Sequence, residues 1–314
     1  MAKNTVVVLT TDQEKFQKKL EALKLSDLEI IVPKDPNSAT TEVLEANIFL
    51  ANPLIAKKYI NEAKKVVWMQ STFAGIDAMN ASDLRKDYLL TNVRDLYGEV
   101  MAEYVLSYIL LFEKEILENL AFQKEKIWKQ REVRVLKNKV MAILGTGSIG
   151  QEIARTAKTF GMRTTGYRTE NEPVKFFDVI YTEDNLRECL STADYVISVL
   201  PKTEATTHIF NVETFSWMKN TAVFMNIGRG NAVNEKDLIA ALKEKKIAKV
   251  VLDVFQTEPL PSESELWTLE NLYLTPHLAG YVVSDRIFEI FSENYSRFLR
   301  GEELKYQISF AKGY

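Results

Sequence analysis

The run Val140-Met-Ala-Ile-Leu-Gly145-Thr146-Gly147-Ser148-Ile149-Gly150 sets a short apolar strand directly ahead of a G-x-G-x-x-G turn, in the middle of a 314-residue chain. The three glycines have separate jobs in such a turn. Gly145 allows the tight bend, Gly147 lets the backbone approach a pyrophosphate, and Gly150 lets the following helix pack on the strand. An anion there meets unpaired amides and the positive end of a helix dipole. Glycines alone often mark ordinary loops, so the context decides. A helical pattern follows (Ile149, Ile153, Ala154, Ala157, Phe160), Gly161 stops it, and Arg163 to Tyr167 reads as the next strand. A dinucleotide-binding unit that opens near residue 140 leaves a long N-terminal stretch to form a second unit that holds the other reactant.

The same alternation runs through the rest of the chain. Apolar runs at Val6 to Leu9, Glu29 to Val32, Ile48 to Leu50, Val66 to Met69 and Leu89 to Asn92 are separated by charged, helix-period stretches such as Lys15 to Leu25, which describes a small α/β unit. Glu99 to Phe122 runs without Gly or Pro and is apolar nearly all round in its first half, the pattern of one long helix buried on most faces. Gln123 to Lys139 is charged and turn-like, with Trp128 as a lone anchor. Beyond the glycine turn, Tyr195 to Val199, Val223 to Asn226 and Val250 to Leu252 add strands, so a doubly wound parallel sheet is expected. The last helical stretch, Asp285 to Arg300, carries an apolar face that can return to the first unit and make that domain discontinuous: 1–97 with 285–314, against 98–284.

Composition excludes several classes. A formal net charge of −3, with 40 Lys and Arg against 43 Asp and Glu and no basic stripe, gives no electrostatic case for DNA or RNA binding. No membrane-length apolar run or signal-peptide core is present, and the expected location is the cytoplasm. The single cysteine, Cys189, excludes an intramolecular disulfide. Its neighbours Leu186, Leu190 and Ala193 mark it as a small buried residue rather than a nucleophile. No metal-ligand set is assigned.

With two histidines in the chain, acid-base candidates near neutral pH are few. His277 lies in Leu274-Thr-Pro-His-Leu-Ala-Gly280, just past a strand-like run. Asn226-Ile227-Gly228-Arg229-Gly230 and Leu252-Asp253-Val-Phe-Gln-Thr-Glu258-Pro259 have the same layout. Three strand ends thus offer an imidazole, a guanidinium whose fork suits a carboxylate, and a carboxylate, at the edge of an open α/β sheet where ligands bind. His208, in Thr206-Thr-His-Ile-Phe210, reads as an exposed or packed histidine.

On these segments, in this order and spacing, the chain resembles the D-isomer-specific 2-hydroxyacid dehydrogenase family, which includes phosphoglycerate dehydrogenases and glyoxylate/hydroxypyruvate reductases. The likeness covers nearly the whole length. It implies a Rossmann coenzyme domain inserted in a smaller flavodoxin-like substrate domain, and catalytic roles for Arg229, Glu258 and His277. Hydride delivered to a 2-oxo carbon leaves negative charge on oxygen, which an imidazolium held by Glu258 can neutralise while Arg229 grips the substrate carboxylate. The segment Ser71-Thr-Phe73-Ala74-Gly75 looks like the family's carboxylate-gripping loop. Arg94 either approaches the cleft or faces solvent. Tyr97 and Met101 border the nicotinamide or simply pack between domains. Asp253 is expected to face the nicotinamide amide, and Leu200, Pro201 and Thr206 to line the cofactor cleft. Phe73, Tyr97, Trp267 and Tyr281 are the candidates for a substrate side-chain pocket.

NAD-selective members end the second strand of the coenzyme domain with an acid that bonds the ribose hydroxyls. Here Tyr167-Arg168-Thr169 stands in that place. Arg168 suits a 2′-phosphate and Thr169 adds a hydroxyl donor, so NADP(H) is favoured over NAD(H), with Glu170 and Glu172 as nearby competitors. The expected reaction is reduction of a small 2-oxo acid to a D-2-hydroxy acid, or its reverse. Oxidation of 3-phosphoglycerate is an alternative, for which Lys57 and Lys58 are the nearest basic pair. A nucleotide-sensing protein of corepressor type is another. The likeness also implies a homodimer, formed through the long helix and the Gln123 to Lys139 arm.

Overall fold

The structure is a computed structural model that describes residues 3–38, 41–94, 96–280 and 285–310. The chain divides into two compact units, Met1–Leu96 with Val283–Tyr314, and Tyr97–Val282.

The first unit is built on a five-stranded parallel sheet in the order β2-β1-β3-β4-β5. Its strands are β1 (Asn4–Leu9), β2 (Leu28–Ile31), β3 (Ile48–Ala51), β4 (Trp68–Ser71) and β5 (Leu89–Thr91), with α1 (Gln13–Ala22), α2 (Thr41–Glu45) and α3 (Pro53–Ala56) between them. Val6 to Leu9 and Ile48 to Ala51 are wholly buried, as continuous apolar runs must be in a parallel sheet covered on both faces. The carboxy-terminal helix of the chain, Arg286–Arg300, packs here through an apolar stripe. Phe288 meets Phe16 at 4.9 Å between ring centroids, and Trp68 stacks on Phe291 and Phe298 at 5.3 and 5.5 Å. Gly301, at φ +68°, ends that helix in the left-handed conformation that glycine adopts without penalty.

β4 sits two residues later than its hydropathy suggests. Val67 is exposed, whereas Gln70 and Ser71 are fully buried in the strand. Their polar atoms are satisfied internally: the Gln70 amide donates to the carbonyls of Ser71 and Asn92, and Asn294 donates to Gln70. A buried polar group so paired costs little, and it hides a strand from any count of apolar residues.

The second unit opens with α4 (Gly98–Glu113) and α5 (Ile116–Glu125), followed by β6 (Val140–Leu144), α6 (Ser148–Thr159), β7 (Arg163–Tyr167), β8 (Val179–Tyr181), α7 (Leu186–Thr192), β9 (Tyr195–Ser198), α8 (Val212–Trp217), β10 (Val223–Asn226), α9 (Glu235–Lys243), β11 (Lys249–Leu252) and β12 (Leu272–Leu274); α10 is the helix Arg286–Arg300 already described. All seven strands are parallel, in the order β12-β11-β10-β9-β6-β7-β8. The chain fills one side of β6 with β7 and β8, then returns to place β9 on its other side. That reversal opens a crevice beyond Leu144 and Ser198, which pair across β6 and β9.

The single helix expected over Glu99 to Phe122 is broken. Glu115 takes φ +48°, and its carboxylate pairs with Arg131 at 2.5 Å. The break coincides with the end of burial: α4 buries Met101, Val105, Ile109 and Phe112, whereas no residue of α5 is buried. Absence of Gly and Pro does not keep a helix straight once no core holds it. β8, a short edge strand with Val179 exposed, carries too little apolar pattern to be read from the sequence. Cys189 is fully buried and burial pushes its thiol up to about 12, which fits a packing residue. No described helix is long and apolar enough to cross a membrane.

Candidate active site

Three neighbouring strand ends build the site. At the end of β10 the buried Asn226 folds its side chain back on its own loop, accepting from the Gly228 amide at 3.3 Å and donating to the Arg229 carbonyl at 3.0 Å. The loop fits only without side chains on either flank of Arg229. A Cβ on Gly228 would lie 2.8 Å from the Leu200 backbone, and one on Gly230 would lie 1.9 Å from the Phe255 carbonyl oxygen. Arg229 is thereby fixed as the one long side chain of the loop, half-buried, with Nη1 donating to the Gly228 carbonyl at 2.8 Å.

Asp253, just past β11, is 1 % exposed and organises the segment that carries His277. Its Oδ1 accepts from the Thr275 hydroxyl at 2.7 Å and the Leu278 amide at 2.8 Å, and its Oδ2 accepts from the Ala279 amide at 3.0 Å. The Asp253 carbonyl also takes the His277 amide at 2.8 Å. These bonds hold His277 at φ +53°, a left-handed conformation that costs a non-glycine residue about 1 kcal/mol or more. Because Thr275 spends its hydrogen on Asp253, the Tyr104 hydroxyl of α4 must donate to Thr275, across 2.5 Å. Neither Tyr104 nor Thr275 stands out in the sequence as a functional residue. Thr275 is one position from the Pro-His pair, but Tyr104 looks like one more apolar helix residue.

Glu258 completes the group. Its Oε1 accepts the Phe255 amide at 3.0 Å and its Oε2 faces His277 Nδ1 at 2.8 Å. The Glu258 hydrogen bond raises the pKa of the imidazole above its ordinary value, more than burial lowers it, and the charges of Glu258 and Asp253 add to the rise while Arg229 opposes it. Burial pushes the Glu258 carboxyl up, but the His277 and Phe255 hydrogen bonds and the charges of His277 and Arg229 bring it below its usual value. With Nδ1 committed to Glu258, Nε2 is the ring nitrogen left for a reactant, and it carries a transferable proton when the ring is charged. Arg229, Glu258 and His277 thus lie within electrostatic reach of one another. His208 is exposed, its Nε2 accepting from the Gln256 amide at 3.0 Å.

The glycine turn has the shape its sequence requires. Gly145 has φ +106°, and a Cβ on Gly150 would lie 2.0 Å from the Gly145 carbonyl oxygen. Nothing stands within 4 Å of the Cβ position of Gly147, which precedes α6, so an anion can approach the amides of Ser148 and Ile149. Thr146 is buried beneath the turn. Arg168 directly follows β7, beside Tyr167 and the exposed Thr169, and its guanidinium touches Glu170 at 3.5 Å. Leu200 and Ile227 are buried at the ends of the neighbouring strands. Thr206 turns inward, donating to the Pro201 carbonyl at 2.6 Å, and serves its own loop. Tyr97 and Met101 pack against Gly280, three residues past His277.

In the first unit, Ser71 both accepts from the Phe73 amide at 3.0 Å and donates to the Phe73 carbonyl at 2.7 Å, and Asn92 donates to the Ala74 carbonyl at 2.8 Å. This closes a tight loop in which Phe73 is exposed and Ala74 and Gly75 are half-exposed. Arg94 is exposed, with Nε 3.4 Å from Asn92 Oδ1. Of the basic pair considered for a phosphate, Lys58 is tied to Asn37 at 2.7 Å. Tyr281 lies outside the described residues.

Residues 106–279, more than half of the chain, match the NAD binding domain of the D-isomer specific 2-hydroxyacid dehydrogenases. The chain belongs to that family. A glyoxylate reductase of Pyrococcus horikoshii is 30 % identical over 284 residues, covering 86 % of this chain and 84 % of that one. A family member from Aeromonas salmonicida is 39 % identical, with a TM-score of 0.94 over 98 % of this chain and 99 % of that one. Another, from Xanthobacter autotrophicus, was solved with NADPH and MES; it is 25 % identical, with a TM-score of 0.88 over the full length of both. This 2-hydroxyacid dehydrogenase is therefore an oxidoreductase of the NAD(P)-dependent kind, and its Tyr97–Val282 unit holds the NAD binding domain.

Proposed function

We propose that this 2-hydroxyacid dehydrogenase reduces a small 2-oxo acid to the D-2-hydroxy acid with NADPH, and that His277 is the general acid. The reading is carried by the 2.8 Å His277–Glu258 pair at the end of β12, next to the β10-end arginine.

When bound, NADPH supplies the hydride. The residues present fit it: Gly145 to Gly150 leave backbone room at the start of α6, and Arg168, directly after β7, would supply a cation for a ribose 2′-phosphate on leaving Glu170. Leu200, Ile227 and Gly228 form the neighbouring crevice edge. Protonated His277 donates from Nε2 to the oxygen on which charge develops, while Glu258 stabilises the imidazolium and fixes its plane. Arg229 binds the substrate carboxylate and opposes the same charge. The loop Phe73-Ala74-Gly75 of the first unit is proposed, on the family likeness, as a carboxylate-binding loop. Asp253, with its three hydrogen bonds from the 275–279 segment, positions His277, and a role toward the nicotinamide amide would use what acceptor capacity remains on Oδ2.

Initial rates with NADPH and NADH in parallel, over a series of 2-oxo acids, test this directly. Arg168→Asp is expected to lower the NADPH-to-NADH ratio of kcat/KM by about 10-fold or more, since a charge-assisted contact is worth roughly 1.5–3 kcal/mol. An unchanged ratio would refute the assignment of Arg168. Tight NAD(H) binding without turnover of any oxo acid would favour a nucleotide-sensing role instead.

We also propose a homodimer. α5 and the segment after it expose Leu117, Leu120, Val135 and a 93 % exposed Trp128, an apolar concentration that a monomer seldom leaves in water. Sedimentation at micromolar concentration should give twice the chain mass, and a monomer there would exclude it.

A further inference from the structure

A cavity of about 450 Å³ opens beside the His277–Glu258 pair, within the Tyr97–Val282 unit. Phe255, Pro259, Leu260, Trp267, Leu274 and Pro276 form its apolar walls, and no lysine or arginine is among its described lining residues. The Trp267 indole N–H is already spent on the Pro261 carbonyl at 2.9 Å, so the ring offers the cavity no donor. Leu260 and Leu274 also pack on the buried core of the sheet, which anchors that wall.

The strand order gives the cavity a direction. β10, β11 and β12 are adjacent, with Arg229 at the β10 end and His277 at the β12 end. The cavity lies on the β12 side, and Arg229 is not on its wall. A planar 2-oxo carbon carries oxygen, carboxylate and one further substituent about 120° apart. With the carboxylate on Arg229 and the oxygen on His277 Nε2, that third substituent diverges from both groups, and it needs a space that His277 borders and Arg229 does not, which this cavity is. We propose that this cavity receives it, and that the enzyme therefore prefers 2-oxo acids with a branched or aromatic apolar side chain. The inference rests on the roles assigned above to Arg229 and His277. Glyoxylate, whose third substituent is a hydrogen, leaves the cavity to water. A side chain ending in phosphate or carboxylate would find no lysine or arginine among the described lining residues to pair with, since the His277 charge is already matched by Glu258.

The test is kcat/KM with NADPH for glyoxylate, 4-methyl-2-oxopentanoate, phenylpyruvate and 2-oxoglutarate, in the wild-type protein and in Trp267→Ala and Trp267→Lys. Trp267 is 54 % exposed on a surface turn, and NADPH binding by fluorescence confirms that each variant is folded. The two apolar acids should exceed glyoxylate by at least about tenfold, as burial of several carbons requires. Trp267→Ala should cut that ratio several-fold, and Trp267→Lys should raise 2-oxoglutarate relative to 4-methyl-2-oxopentanoate. Glyoxylate reduced as well as the apolar acids, or ratios that neither variant moves, would overturn the inference while leaving the reaction intact. Reduction of none of the four would overturn both.

Discussion

His277→Gln is expected to lower kcat for oxo-acid reduction by about 10²- to 10⁴-fold, the range for loss of a positioned acid, while NADPH binds as before. The coenzyme turn at Gly145 to Gly150 lies at the β6 end, whereas the 275–279 segment is held by Asp253 beyond β11, so binding and turnover should separate. Turnover near the wild-type rate would remove His277 from the proposed chemistry. The pH profile adds a sign. The Glu258 hydrogen bond holds the His277 pKa above its ordinary value. The acid form is therefore kept through neutrality, and reduction should be flat at low pH and fall as pH rises through that raised pKa. Oxidation of the hydroxy acid, which needs the neutral ring, should show the reverse. Glu258→Gln removes the first cause of the shift, so its falling limb must move to lower pH. A limb that stays in place would mean that the 2.8 Å contact does not govern the ring.

Much of this site was readable in the sequence because its parts are local. A strand, a sharp turn and one polar residue recur at Arg229, Glu258 and His277, and an open parallel sheet brings such strand ends to one edge regardless of the loops between them. The fully buried runs of β1, β3 and β9 are legible for the same reason, since continuous burial leaves a continuous apolar signature. What the sequence conceals depends on pairing over distance. Gln70 and Ser71 belong to β4 because Asn92 and Asn294 satisfy Gln70, from 22 and 224 residues away. That Asp253 also holds the His277 segment is not visible in the sequence, because the amides of Leu278 and Ala279 converge on it from 25 and 26 residues away. Tyr104 acquires meaning only through Thr275, 171 residues later. The break at Glu115 reflects the loss of a packing surface, and the α5 sequence alone does not show which of its leucines have partners.

Arg229→Gln is expected to lower kcat/KM for the oxo acid by about 10²- to 10³-fold, since it removes a carboxylate anchor and a charge facing the developing oxyanion. Arg229→Lys should recover only part of this, because an ammonium lacks the planar fork that engages both carboxylate oxygens. A fall in rate alone would not distinguish this role from disturbance of a loop held between the Leu200 backbone and the Phe255 carbonyl. The pH limb does distinguish them. The Arg229 charge lowers the His277 pKa, against the rise caused by Glu258. Its removal must therefore shift the falling limb of reduction to higher pH, opposite to the shift from Glu258→Gln. A collapsed loop would separate His277 from Glu258 and move both variants the same way. Opposite displacements, measured as kcat against pH with saturating NADPH, are what three charges acting on one another require, and parallel displacements would exclude that arrangement.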